Sequence, residues 1–294
     1  MSSLAYAAIT PVRDEEQNLG RLAEVMRAQT RPPHAWVIVE NGSTDGTPSL
    51  ARELAEREPW ITLVEASPSE SVARGGPIVR AFNAGLDALG KQPDVIVKLD
   101  ADVAFEPDYF ERVLAAFAAE PRLGIASGAA YELEDGEWRR QFMTGASAWG
   151  AVRAYRRLCL EDVAPLVERV GWDTVDALKA TLAGWEVRTL EDLPFHHHRQ
   201  EGARDGSGPA WDAMGRCAYF LRYRPSYQLI RTIHRVRSDR TAIHMLSGYL
   251  GAAIAREDRY GDLAVTRHLR ERQRLRRLVV RRDEALGRAA GDRI

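Results

Sequence analysis

The sequence predicts an α/β fold: a mostly parallel central sheet with helices on both faces, followed by a helical C-terminal extension. Three observations carry that expectation. Short apolar-rich runs recur at residues 36–39, 61–64 and 95–97, and such runs mark strands buried on both faces. Helical patterns of ten or more residues separate them, which is the spacing of a parallel sheet with crossover helices. Beyond Pro209 the pattern turns mostly helical. Composition agrees: 294 residues, 45% apolar and 28% charged, can bury a sizeable core and exclude a disordered chain, a collagen-like fibre or a coiled-coil rod.

In chain order, residues 4–12 form a β-rich first strand, followed by a helix with Leu19, Leu22, Val25 and Met26 on one face. Residues 36–39 are the second strand, closed by the turn Asn41-Gly-Ser-Thr-Asp-Gly46 and followed by a helix over 48–57. Residues 61–64 and 95–97 are strands three and four, with a helix over 77–89 between them. A fifth strand is expected over 123–130, with later strand or edge segments at 185–189 and 193–197. Residues 201–208 read as an exposed loop, and 240–254 and 263–286 as helices. A soft boundary near 208 divides a domain of residues 1–208 from a helical extension of 209–294.

The formal charge of −1, from 41 basic and 42 acidic residues, excludes a globally basic nucleic-acid binder. The average conceals an asymmetry: residues 267–282 hold eight arginines against the single acid Glu271, a local +7 that leaves −8 for the rest. With Leu269, Leu275, Leu278 and Val279 among those arginines, this tail helix suits either an anionic membrane surface or packing on the protein or a twin subunit. Nucleic acid is not expected there, because no aromatic interleaving accompanies the charge. Cys159 and Cys217 form no disulfide framework or CxxC pattern, so a reducing compartment is expected. No basic n-region opens the sequence and no apolar run is long enough to span a bilayer. The expected location is cytoplasmic, with a peripheral place at the inner face of the membrane as the variant of that reading.

In parallel sheets ligands bind beyond the carboxyl ends of the strands, which directs attention to the turns. Val97-Lys-Leu-Asp100-Ala-Asp102 delivers two carboxylates to such an end. Paired hard oxygens suit Mg²⁺ or Mn²⁺ together with phosphate oxygens, although two solvated turn aspartates would look the same. Glu40-Asn41, before a glycine turn, can read a base edge or a ribose hydroxyl. The plainer reading is turn chemistry, with Ser43, Thr44 or Asp45 capping the next helix.

The segments ITPVRDEEQNL, VIVENGSTDGT and VKLDADVAFEPDYF, in this order and at these separations, resemble family 2 glycosyltransferases of the GT-A fold over roughly residues 4–200. The resemblance implies a GT-A-type nucleotide-binding sandwich and inverting transfer from a nucleotide-sugar donor, UDP-linked foremost, with Mg²⁺ or Mn²⁺. The acceptor hydroxyl would belong to a glycan or lipid-linked acceptor in bacterial polysaccharide or glycolipid assembly. It makes Asp102 a metal ligand, puts Asp100 near the ribose and metal, and gives Thr10, Pro11, Glu40 and Asn41 to the nucleoside. Where the family has an arginine this chain has Ala81-Phe82-Asn83, leaving Arg80 or Arg74 as substitutes. A base must take the acceptor proton. Gly171-Trp-Asp173-Thr-Val-Asp176 resembles the segment that supplies it, with Trp172 in place of the usual glutamate; Asp173 is the first choice and Asp176 the alternative. In Phe195-His-His-His-Arg199, His197, or His198 beside it, matches the family's histidine ligand, and Arg199 is a candidate for the diphosphate. Arg153, Tyr155, Arg156 and Arg157, after Gly145 and Gly150, resemble a donor-facing stretch, and arginine forks suit phosphate.

Two other readings stand beside this one. A sugar-nucleotide nucleotidyltransferase would share the nucleotide-binding half but needs a glycine-rich phosphate loop, and Thr10-Pro-Val-Arg-Asp-Glu contains no glycine. A catalytically silent nucleotide-binding scaffold is suggested by the Glu40-Asn41 and Trp172 departures.

Overall fold

The computed structural model describes residues 4–66, 75–90, 93–134, 136–143, 147–198 and 207–274. Arg74, Gly145, Arg199, Gly202, most of the expected 201–208 loop and the tail beyond Arg274 therefore lie outside the described residues. The chain divides into two compact units. Among the described residues, the first lies within 4–168 and 172–198 and the second holds 169–171 and 207–274.

The first unit contains a nine-stranded mixed sheet. Its strands are β1 (Tyr6–Val12), β2 (Ala35–Glu40), β3 (Ile61–Glu65), β4 (Val95–Leu99), β5 (Val103–Phe105), β6 (Leu123–Glu134), β7 (Glu137–Arg140), β8 (Val152–Arg156) and β9 (Glu186–His197). They lie in the order β3-β2-β1-β4-β8-β6-β9-β5, with β7 paired to β6. The parallel arrangement expected from the apolar runs holds for β1 to β4 and for β6 with β9. The ladders β4–β8, β6–β8, β5–β9 and β6–β7 are antiparallel, so the sheet is mixed rather than mostly parallel.

Alternation along the strands builds two cores. Tyr6, Ala8, Trp36, Ile38, Val95 and Val97 face helices α1 (Glu16–Arg27), α2 (Thr47–Arg57) and α4 (Tyr109–Ala119). Ile9, Val37, Val39 and Ile96 face α3 (Gly76–Ala88), α5 (Arg157–Val163) and α6 (Trp172–Leu182). Leu19, Leu22 and Met26 are buried on α1, each aliphatic burial contributing about 1.5–3 kcal/mol. Val25, placed on the same face from the sequence, is partly buried against that core.

The two segments expected at 185–189 and 193–197 are one strand. On β9, Leu190 pairs with Gly128 and Pro194 with the next residue, Ala129, so residues 191–193 bulge out of the ladder. A bulge breaks the period that sequence reading relies on. Gly128 is what the bulge requires: a Cβ there would stand 2.2 Å from the Leu193 carbonyl oxygen.

In the second unit, α7 (Ser207–Phe220) packs against α9 (His244–Ile254), and α8 (Pro225–Val236) packs on a 3-10 turn (Arg240–Ile243) and α9. The helix expected over 240–254 is therefore that turn followed by α9. Of the expected 263–286 helix, α10 covers Leu263–Arg272. No helix among the described residues is long and apolar enough to cross a membrane.

Candidate active site

Strand ends of the first unit bring the chemistry-bearing turns together. The turns after β1 and β2 are stitched to each other: Asp14 Oδ1 accepts from the Thr44 backbone N–H (2.7 Å) and hydroxyl (3.1 Å), and Asp14 N–H donates to Ser43 Oγ (3.0 Å). Glu15 N–H donates to Thr47 Oγ1 (2.8 Å), and Asp45 Oδ1 accepts from Thr47 N–H (3.0 Å) at the start of α2. Of the residues assigned to the nucleoside, Thr10 is buried with its hydroxyl accepting from Trp36 Nε1 (2.9 Å), and Pro11 is partly exposed. Glu40 is buried and accepts from Ser43 N–H (2.5 Å), closing the turn in which Gly42 takes φ +72. Buried Asn41 donates its backbone N–H to the Val12 carbonyl (3.0 Å). Arg80, on the exposed side of α3, pairs with Glu168 at 3.1 Å, and Phe82, at the family's arginine position, is buried against Tyr155.

The Asp100-Ala-Asp102 turn joins β4 to β5. Lys98, buried on β4, donates Nζ to Asp100 Oδ1 (2.5 Å) and to the Gly150 carbonyl (2.9 Å), and lies 5.7 Å from the Trp172 ring. Burial raises the Asp100 pKa; the Lys98 ammonium opposes that rise and Asp102 adds to it. Asp102 is buried, and its Oδ1 lies 3.3 Å from His197 Nε2. The register of β6 against β9 sets Glu132 opposite His197, and the other ring nitrogen, Nδ1, lies 3.5 Å from Glu132 Oε1. Burial lowers the His197 pKa, but the hydrogen bonds to Asp102 and Glu132 outweigh it and raise it to about 10. The neighbouring His198 is exposed; its backbone N–H donates to the Asp102 carbonyl (2.8 Å), its ring meets Trp138, and partial desolvation together with the Arg21 charge lowers its pKa. His197 is thus the histidine whose ring meets the Asp102 carboxylate, and His198 the one that braces the turn through its backbone.

Asp173 lies in the first turn of α6, partly exposed, with Oδ1 accepting from Thr174 N–H (2.9 Å). A Cβ added at Gly150 would stand 3.6 Å from the Trp172 ring and 3.8 Å from Asp173 Oδ2. Gly150 therefore joins the two halves of the site: its carbonyl takes the Lys98 ammonium that holds Asp100, and its α-carbon faces Asp173. Asp176 is placed differently. It is fully buried, and Arg153, also fully buried, donates to it through Nη2 (2.6 Å) and Nε (3.2 Å), with the Tyr155 hydroxyl donating as well. Burial raises the Asp176 pKa while Arg153 and Tyr155 pull it down. Burial alone would lower the Arg153 pKa, and the Asp176 carboxylate reverses that. With two guanidinium N–H groups on the carboxylate, the pair is ionised.

The arginines that resembled a donor-facing stretch are engaged elsewhere. Arg153 also donates to the carbonyls of Ala148 and Asp173 (2.9 Å for the latter). Arg156 donates to the carbonyls of Leu123, Phe117 and Glu120, and Arg157 pairs with Glu161. Two residues of the site, Lys98 and Glu132, went unread in the sequence, and Gly150 was read only as a landmark before Arg153. For Lys98 a signal existed, since one of only three lysines in the chain stands in an apolar strand two residues before Asp100.

Compared with known sequences, the profile described as Glycosyl transferase family 2 matches residues 7–163, more than half of the chain. The chain belongs to glycosyl transferase family 2. It is 28% identical over 115 residues to the succinoglycan biosynthesis protein ExoA of Rhizobium meliloti, a match covering 39% of this chain and 33% of that protein. It is 31% identical over 175 residues to the polyprenol monophosphomannose synthase of Mycolicibacterium smegmatis, covering 53% of this chain and 63% of that one. The matches thus span about a third and just under two thirds of these relatives' lengths. Among solved structures, the mannosyltransferase PcManGT of Pyrobaculum calidifontis, in complex with GDP-Man and Mn²⁺, superposes with a TM-score of 0.58 at 17% identity, covering 97% of this chain and 85% of that one. S. aureus TarS 1–349 with UDP-GlcNAc gives 0.54 at 16% identity, covering 72% and 65%. At such identities the likeness is one of fold, and that fold is the GT-A glycosyltransferase architecture.

Proposed function

We propose that this family 2 member is an inverting glycosyltransferase that moves a sugar from a nucleotide-sugar donor to a hydroxyl of a glycan or lipid-linked acceptor. The observation that carries the reading is the junction at Gly150, where Lys98 ties Asp100 to the Gly150 carbonyl and the Gly150 α-carbon faces a partly exposed carboxylate, Asp173. Asp173 is the group to take the acceptor proton: it is the carboxylate at the mouth of α6, with Trp172 packed beside it and Asp176 turned inward. The turns after β1 and β2 form one rigid wall for the nucleoside, in which the Glu40 carboxylate shapes the backbone and Pro11 and Asn41 border the strand ends.

Asp102 and His197 would hold Mg²⁺ or Mn²⁺. One carboxylate oxygen and one imidazole nitrogen 3.3 Å apart, with Glu132 behind the second ring nitrogen, make a donor set of the right chemistry, a histidine oriented by a carboxylate. Diphosphate oxygens complete such a set. The bound metal supplies charge stabilisation for the departing nucleoside diphosphate.

A mannosyltransferase with GDP-Man and Mn²⁺ and a transferase with UDP-GlcNAc share the fold, and a polyprenol monophosphomannose synthase is among the similar sequences. These support a nucleotide-sugar donor, with UDP as the first to test and GDP beside it, and a lipid-linked acceptor. Work at the inner face of the membrane, through the C-terminal helices, belongs to the same reading. Titration calorimetry with UDP, GDP and dTDP, each with and without Mn²⁺, tests it. One nucleotide should bind in a Mn²⁺-dependent manner, and Asp102→Asn should remove that dependence. Absence of metal-dependent binding by the wild type would overturn the proposal; binding without transfer would favour the silent scaffold.

A further inference from the structure

His197 stands between two carboxylates. Its Nε2 lies 3.3 Å from Asp102 Oδ1 and its Nδ1 lies 3.5 Å from Glu132 Oε1, and all three side chains are mostly buried. The two nitrogens of an imidazole point away from each other, so Asp102 and Glu132 flank opposite edges of the ring. A cation shared by Asp102 and Nε2 lies across the ring from Glu132, which acts on it through the imidazole alone.

The sheet builds this arrangement. β9 sets His197 opposite Glu132 because the bulge at residues 191–193 shifts its register on β6, and Gly128 is the residue that admits the bulge. On its other flank Glu132 has Arg139 of β7 opposite it, and an arginine is the plainer cross-strand partner for a carboxylate. That guanidinium lies instead with Glu134 and Glu137, at 3.8 Å each. His196 and His198 alternate to the opposite face of β9, where both rings meet Trp138.

A carboxylate so placed does two things to a histidine ligand. By accepting a hydrogen bond from Nδ1–H it leaves the lone pair on Nε2, the nitrogen that faces Asp102. Its negative charge also makes that nitrogen a stronger donor. The second effect falls unequally on the two candidate ions. Mg²⁺ is held chiefly by carboxylate, phosphate and water oxygens, whereas Mn²⁺, a transition ion, gains more from a nitrogen donor.

We propose that Glu132 is a positioning residue for the metal site: through Nδ1 of His197 it directs Nε2 to the cation, and through its charge it biases the site towards Mn²⁺ over Mg²⁺. The inference rests on the metal-dependent reading above and deepens it by naming the residue that sets the affinity and the choice of ion.

The experiment is metal titration of the full chain at saturating UDP, GDP or dTDP, following free Mn²⁺ by electron paramagnetic resonance and Mg²⁺ by its competition with Mn²⁺. The wild type should prefer Mn²⁺. Glu132→Ala should weaken Mn²⁺ binding by about 10- to 100-fold and Mg²⁺ binding by less than about threefold, so the preference shrinks. Glu132→Gln keeps an acceptor for Nδ1 but no charge, and should fall between wild type and Glu132→Ala. It is also isosteric, so its titration reads the charge even where circular dichroism shows that Glu132→Ala unfolds. A wild type that binds both ions equally, equal weakening of the two ions in Glu132→Gln, or Mn²⁺ affinity unchanged in that variant would each overturn the proposal while leaving metal dependence intact. A wild type that takes up no Mn²⁺ with any of the three nucleotides would overturn the underlying reading as well.

Discussion

Replacing Arg153 by Met tests the buried ion pair behind the candidate site. The guanidinium is fully buried on β8 and donates to both oxygens of the buried Asp176 carboxylate and to the carbonyls of Asp173 and Ala148. Methionine fills much of the same volume but leaves the carboxylate with the Tyr155 hydroxyl as its remaining side-chain donor. Removing one partner of a buried pair costs about 3–5 kcal/mol, because the other charge stays desolvated and unpaired. Against a total stability of about 5–15 kcal/mol, that corresponds to a fall in Tm of roughly 6–20 °C. A second substitution isolates the stranded charge. Arg153→Met/Asp176→Asn removes the stranded charge and keeps an acceptor for Tyr155, so it should recover about 2 kcal/mol of the loss, the remainder being unsatisfied polar groups. Urea unfolding followed by tryptophan fluorescence measures both, with Trp172 within 5.8 Å of the guanidinium as a local reporter. If the single variant unfolds within about 1 kcal/mol of wild type, or the double variant is no more stable than the single, Arg153 and Asp176 are not held as an ion pair.

Two further outcomes follow from the site. Asp173→Asn should leave Mn²⁺-dependent nucleotide binding intact in calorimetry while lowering transfer by about 10²- to 10⁴-fold; retained turnover would move the base elsewhere. Gly150→Ala should be tolerated, since its Cβ would meet Trp172 and Asp173 at ordinary van der Waals distances of 3.6 and 3.8 Å. Gly150→Leu extends into the space before Asp173, so kcat/KM should fall by more than about tenfold while the nucleotide still binds; equal activity in both variants would show that acceptor and donor do not meet there.

The first half of the fold was legible because β1, β2 and β4 are buried almost throughout and mostly apolar, while the edge strand β3 is partly exposed. One of their few polar residues was informative: Lys98 on β4 is paired rather than solvated. Legibility failed where side-chain chemistry disguised the backbone. β8 reads Val-Arg-Ala-Tyr-Arg, and its arginines suggested phosphate ligands; in the sheet, Val152 and Ala154 face one core while Arg153 and Tyr155 face α6. β5, of three residues, and β7, of four, are too short to show a period. The candidate site divides the same way. Asp100, Asp102, Asp173 and His197 stand in local motifs that are visible in one dimension. Glu132 meets His197 only through the pairing of β6 with β9, across 65 positions of sequence, and no local pattern encodes that register.

Asp173 and Asp176 show how small a difference in one dimension becomes decisive in three. Three residues apart on a helix, they share a side of α6, so sequence spacing offers both as proton acceptors. Trp172, Val175 and Ala177 hold α6 against the core, and within one turn its acidic side chains pass from partly exposed Asp173 to fully buried Asp176. Asp173 keeps one carboxylate oxygen toward Gly150. Asp176 meets Arg153 and Tyr155, which rise from β8 to the same level of the sheet. A carboxylate enclosed by a guanidinium fork and a phenol has no oxygen free for an acceptor hydroxyl, and its link to Asp173 runs through the backbone: the guanidinium paired with Asp176 also donates to the Asp173 carbonyl at 2.9 Å. The buried aspartate thus positions the exposed one.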